Sequence, residues 1–137
     1  MKRVFVLLFA CLCVSDASAA DKAEHKVTPD QARALVLASL TPKQRQLPSL
    51  GADSFNDPNS SRFFFFTVTW AGTPNGSVVV GNYAVDPYTG DVFSATMSCY
   101  EEANNNLKAL QKQVRAALNL TQGEYQKLKT KGPLCGE

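Results

Sequence analysis

Few residues in this chain are equipped for chemistry, and their spacing does not bring them together. His25 is the only histidine, and no cysteine lies between Cys13 and Cys99 to join it. A histidine-centred general base or a zinc tetrad therefore has no support in the sequence. Glu101 and Glu102 are adjacent, so on a helix they would point about 100° apart and could not act as facing carboxylates. They read as acidic residues near a helix N-terminus, where the macrodipole favours them. Asp86 and Asp91 bracket the segment Asp86-Pro87-Tyr88-Thr89-Gly90-Asp91. It lacks the alternating oxygen ligands of an EF-hand loop and reads as a turn, with proline setting a negative φ and Gly90 free to take a positive one. No catalytic residue, metal ligand or cofactor is assigned on these grounds.

The first twenty residues fix the expected compartment. Lys2 and Arg3 supply a positive start, Val4 to Val14 an apolar run, and Ala17-Ser18-Ala19-Ala20 the small residues of a signal-peptidase site. The apolar run is about half of the roughly 20 residues needed to cross a bilayer as a helix, so a cleaved signal over 1–20 is expected. The expected result is a single domain over 21–137, periplasmic or secreted, with no stable membrane insertion after cleavage. A competing arrangement anchors the chain through a lipid on Cys11, since Leu8-Phe9-Ala10-Cys11 loosely resembles a lipid-attachment box. Cleavage removes Lys2, Arg3 and Asp16, which lowers the net charge from +2 to +1. That balance does not point to nucleic acid or an anionic membrane as a partner. Cleavage also removes Cys11 and Cys13, leaving Cys99 and Cys135, which in an exported protein are expected to form a structural disulfide.

The elements that would carry these residues divide into a helical start, a strand-rich middle and a helical end. Thr28-Pro29-Asp30-Gln31 opens a helix to about Leu40, burying Ala32, Leu35, Val36 and Ser39 or Leu40. Thr41-Pro42-Lys43-Gln44 repeats the signal for a short helical turn, and Ser49 to Ser61 reads as a loop. Ser61 to Ala71 alternates as a strand with Phe64, Phe66, Val68 and Trp70 on the core side. Ser77 to Asp86 and Asp91 to Met97 complete a three-stranded antiparallel meander. From about Ser98 the period becomes helical, with Ala103, Leu107, Leu110, Val114 and Ala117 or Leu118 as the apolar stripe. Asn104, Asn105, Lys108, Lys112 and Arg115 form its solvent face. Thr121-Gln122-Gly123-Glu124 caps a last helix that buries Tyr125 and Leu128, and Lys127, Lys129 and Lys131 read as solvated. The fold class is α+β: an N-terminal helix, a three-stranded meander, two C-terminal helices and one disulfide.

Val27-Thr28-Pro29-Asp30-Gln31-Ala32, followed by Val85-Asp86-Pro87-Tyr88-Thr89-Gly90-Asp91-Val92, resembles a PepSY-type module over residues 27 to 95. The V-D-x-x-T-G-x-V pattern is matched by Val85, Asp86, Thr89, Gly90 and Val92. The same aspartate-to-glycine turn recurs in nuclear-transport-factor-2-like periplasmic and immunity domains. The PepSY resemblance implies a secreted or periplasmic binding and inhibitory module, and it does not imply catalysis.

Residues that exceed structural need mark where binding is expected. Tyr88 sits at the hairpin tip, Asp91 just beyond it, and Phe63 and Phe65 lie on the second face of the first predicted strand. These four form the expected partner-binding surface, an aromatic patch if helices do not cover that face. The function they suggest is a periplasmic protein-binding inhibitor or immunity protein that blocks a peptidase or cell-wall hydrolase. The alternatives are a module with a small-ligand pocket between sheet and helices, and an enzyme whose site would require two convergent ionisable groups.

Overall fold

A computed structural model describes residues 26–56, 62–73, 75–76, 78–95 and 99–133. The expected signal over 1–20, Cys11, His25 and the Cys99–Cys135 pairing lie outside the described residues. The chain runs α1 (Pro29–Ser39), α2 (Pro42–Arg45), β1 (Gly51–Phe55), β2 (Phe64–Thr69), β3 (Val79–Val85), β4 (Val92–Ala95), β5 (Cys99–Glu101), α3 (Asn105–Ala117) and α4 (Gln122–Leu128). The sheet is an antiparallel meander in the order β1-β2-β3-β4-β5. It has five strands where three were expected. β1 falls in the segment read as a loop, because an edge strand that buries only Ala52 shows no apolar alternation. β5 falls where the helical period was expected to begin, and it places Glu101 in a strand instead of a helix N-terminus.

Among the described residues, three of the four helices open with the same local device. Thr28, Thr41 and Thr121 each accept from the backbone N–H three residues on, while Gln31, Gln44 and Glu124 accept from the cap's own N–H. Each box satisfies two donors that a helix start leaves orphaned. In α1 this fixes the phase that buries Ala32, Leu35, Val36 and Ser39. α3 is capped by Asn104, whose side-chain oxygen accepts from Leu107 N–H at 2.9 Å. Its amide nitrogen donates to the carbonyls of Ala38 and Ser39 at 3.1 and 2.7 Å, so the residue read as solvent-facing ties the end of α1 to the start of α3.

One sheet face carries Ala52, Phe66, Val68, Tyr83, Val85 and Val92, and packs with Val27, Leu35, Val36, Leu40, Leu107 and Val114 into the main core. A register shift between Val68 and Thr69 interrupts the β2–β3 ladder, and Val79 beside it is 45% exposed. The stripe on α3 is narrower than its sequence suggests: Leu107, Gln111 and Val114 are buried, and Ala103 and Ala117 are exposed. The opposite sheet face holds a second cluster of Phe65, Ala84 and Phe93, with Phe63 and Ala95 against it. Phe63 meets Phe93 edge-on, with centroids 6.0 Å apart at 89°, and Phe55 lies over Phe65 at 5.6 Å. Gly132 seats the chain after α4 on the ring of Phe93, at a φ of +100° that disfavours any side chain.

Candidate functional site

The turn between β3 and β4 is the junction of the molecule. Asp86 accepts from the Tyr88 N–H at 2.9 Å through Oδ1. Through Oδ2 it accepts from Nε and Nη2 of Arg62, at 3.1 and 2.7 Å. Gly90 N–H donates to the Asp86 carbonyl at 2.8 Å, with Gly90 at a φ of +70°. The turn holds every neighbouring element: Val27 N–H donates to the Pro87 carbonyl, and Gln111 Nε2 donates to the Gly90 carbonyl at 3.0 Å. Arg62 Nη2 also donates to the carbonyl of Leu128, at the end of α4. The Asp86 carboxylate is thus engaged by donors of its own chain through both oxygens.

Asp91 is 1% exposed and serves the same junction. It accepts from Arg115 Nη2 at 2.6 Å, from Thr89 Oγ1 at 2.9 Å and from the Tyr125 hydroxyl at 3.2 Å. Arg115 Nε donates to the Thr89 carbonyl at 2.8 Å, and its guanidinium stacks 4.2 Å from the Tyr125 ring centroid. Arg115, read from the sequence as part of a solvent face, is therefore the link between α3, the turn and α4. Burial pushes the Asp91 carboxyl above the usual range, against the Thr89 hydroxyl and the Arg115 charge, which pull it down. Glu102 is raised by burial alone, and Tyr83 rises through its own burial and the Glu102 charge beside it. Lys129, read as solvated, pairs with Glu101 at 3.1 Å, a bond that raises its own pKa.

The four residues expected to bind a partner separate here. Phe65, at 3% exposure, and Asp91 belong to the interior, the first as the centre of the aromatic cluster and the second as the partner of Arg115. Tyr88 and Phe63 are half-buried, and both line an open groove of about 610 Å³ with Lys26, Arg62, Phe64, Pro87 and Leu128. Lys26 Nζ lies 4.7 Å from the Tyr88 centroid, and the Arg62 guanidinium lies 5.1 Å from Tyr88 and 6.0 Å from Phe63. The groove thus combines aromatic rings with cations set beside them, a surface suited to an apolar side chain with a carboxylate at its edge. Arg62 and Lys26 were not legible as site residues, because their ring partner Tyr88 is distant in sequence.

Among the described residues, no group of three or more histidine, cysteine, aspartate or glutamate side chains is placed to hold a metal ion. No helix among them is long and apolar enough to cross a membrane.

No family model matches the chain, and no curated protein matches it. Among solved structures, the fold is similar to a chain from a type VI secretion system effector-immunity complex from Pseudomonas protegens. The TM-score is 0.57 at 22% identity, over 77% of this chain and 88% of that one. The likeness defines the architecture, a helix-capped antiparallel meander with two trailing helices.

Proposed function

We propose that this chain is an exported immunity protein that binds an effector enzyme acting on the cell wall, a hydrolase or a peptidase, and blocks it. The observation that carries the reading is the fold shared with a chain of an effector-immunity complex along most of both lengths. Asp86 and Asp91 are each engaged by their own chain's donors, which fits structural carboxylates of a binding protein and does not fit a catalytic pair at this turn. The proposed place of action is the periplasm, which follows from the signal pattern of residues 1–20. The groove around Tyr88 and Phe63 is the proposed contact surface.

The test is capture of the partner by the tagged mature chain from an extract of its source cell, followed by assay of the captured enzyme on cell-wall substrate. Addition of the chain is expected to abolish that activity at a stoichiometric ratio. Tyr88→Ala should weaken the complex by about 1 kcal/mol or more. The cost to folding should be no more than about 1 kcal/mol, the value of its cation contacts. An enzyme that keeps full activity when saturated with the chain would refute the proposal.

A further inference from the structure

A second concave surface among the described residues is lined by α3 and by the chain through α4. It is a cleft of about 330 Å³ lined by Lys108, Gln111, Lys112, Arg115, Gln122 and Tyr125. Its shape has a local cause. Asn119 takes a φ of +53°, and the N–H groups of Asn119 and Leu120 return to the carbonyls of Ala116 and Arg115 at 3.0 and 2.9 Å. This Schellman closure reverses the chain and lays α4 beside the basic face of α3.

The lining holds three cations and no carboxylate, and only Arg115 among them is paired, with Asp91 beneath it. Lys108, Lys112 and Arg115 follow one another at four and three residues, so they share one helix face. Arg115 is committed to Asp91 through Nη2 and to the Thr89 carbonyl through Nε, which leaves Nη1 without an acceptor among the described residues. Neither the Lys108 nor the Lys112 ammonium has an ion pair or hydrogen bond among the described residues, and both residues are exposed. Like charges one helical turn apart destabilise a helix, so stability alone does not account for the pair.

We propose that the Lys108-Lys112-Arg115 cleft docks an acidic segment of a protein partner, one whose carboxylates repeat at about one helical turn. The geometry selects this occupant over a single small anion. The three cations are spread over eight residues of helix, seven steps or about 10 Å along its axis, a span that one phosphate or sulfate cannot bridge. Carboxylates on one face of a partner helix repeat at the same interval. The two glutamines, Gln111 and Gln122, flank the row with neutral amides that add no competing negative charge. The assignment rests on the preceding proposal only in taking the partner to be a protein.

The test uses a synthetic helical peptide with glutamates spaced four and three residues apart, and a scrambled peptide of the same composition. Binding to the full mature chain is followed by fluorescence anisotropy at low and physiological salt. The spaced peptide should bind more tightly than the scrambled one and weaken as salt rises. Lys108→Glu with Lys112→Glu should reduce its affinity by about tenfold or more. Lys43→Ala with Arg33→Ala, which do not line the cleft, should leave it unchanged. Thermal melts of both double variants establish that they are folded. Equal binding of the two peptides, equal loss in the two double variants, or full competition by millimolar inorganic phosphate would overturn the proposal. Because the probe is a peptide, failure to inhibit an enzyme would refute the proposed function and leave this assignment standing.

Discussion

Replacing Arg115 by alanine tests the central claim about how this fold is held together. Three interactions disappear at once: the 2.6 Å ion pair with Asp91, the bond to the Thr89 carbonyl and the stack on Tyr125. Asp91 keeps its place at 1% exposure, so the substitution leaves a buried carboxylate whose charge is answered only by Thr89 and Tyr125. Breaking a fully buried pair in this way costs about 3–5 kcal/mol. Arg115 is 24% exposed, which lowers the expected loss to about 2–3 kcal/mol. In a domain of this size that is a fall in melting temperature of roughly 8–12 °C. Urea denaturation at pH 7 measures the loss directly, and Arg115→Lys, which keeps the charge and loses the fork, should fall between. Asp91→Asn introduced into Arg115→Ala should recover much of the loss, because the stranded charge goes with it. The penalty should also shrink as pH falls, since Asp91 titrates above the usual aspartate range and removal of Arg115 raises it further. A loss below about 1 kcal/mol, or strictly additive effects of Arg115→Ala and Asp91→Asn, would refute the argument.

Glu102 gives a second pH effect of defined sign. Burial raises its pKa, so the folded chain holds that proton more tightly than the unfolded chain does. The stability this contributes is complete below the ordinary glutamate value and is lost as pH rises through the raised one. Glu102→Gln should therefore flatten the decline in stability between mildly acidic and neutral pH, measured by urea melts across that range. Gly132→Ala should destabilise by about 1–3 kcal/mol, because its φ is +100° and a Cβ would stand 2.7 Å from the Phe93 ring. Gly123→Ala, inside α4 with open space around it, should instead stabilise by up to about 1 kcal/mol. Differential scanning calorimetry of the two variants side by side checks both signs.

The parts of this fold that were legible in the sequence are those encoded locally. The threonine caps, the β3–β4 turn with Gly90 at positive φ, and the burial of Leu35, Val36, Phe66, Val68 and Tyr125 each depend on residues within a few positions of one another. What was not legible depends on partners distant in the chain. Arg115 and Asn104 resemble any polar residue on an exposed helix face until Asp91 and Ser39 are brought beside them. Phe65 presented the same ambiguity, since its face is closed by residues as remote as Phe93 and Gly132. β1 escaped notice because an edge strand needs one neighbour and one inward side chain, and Gly51-Ala52-Asp53-Ser54-Phe55 supplies no more than that. In the groove, Tyr88 and Phe63 were visible as surplus aromatics, while the cations that frame them were not.

The strand order has a kinetic consequence. Every strand pairs with the one before it in the chain, so the whole sheet can be zipped from successive hairpins without closing a long loop. Among the described residues, the side-chain bonds that span the greatest separations join Arg62 to the end of α4, and Asn104 at the start of α3 to the end of α1, so they close contacts far more distant in sequence than any hairpin of the sheet. Substitutions along β2 and β3 should therefore slow refolding, whereas loss of Arg62 or Asn104 should chiefly hasten unfolding. A chain that reaches its working compartment as an extended polypeptide would gain from that order of events, because its aromatic strands are paired early and spend little time open to aggregation.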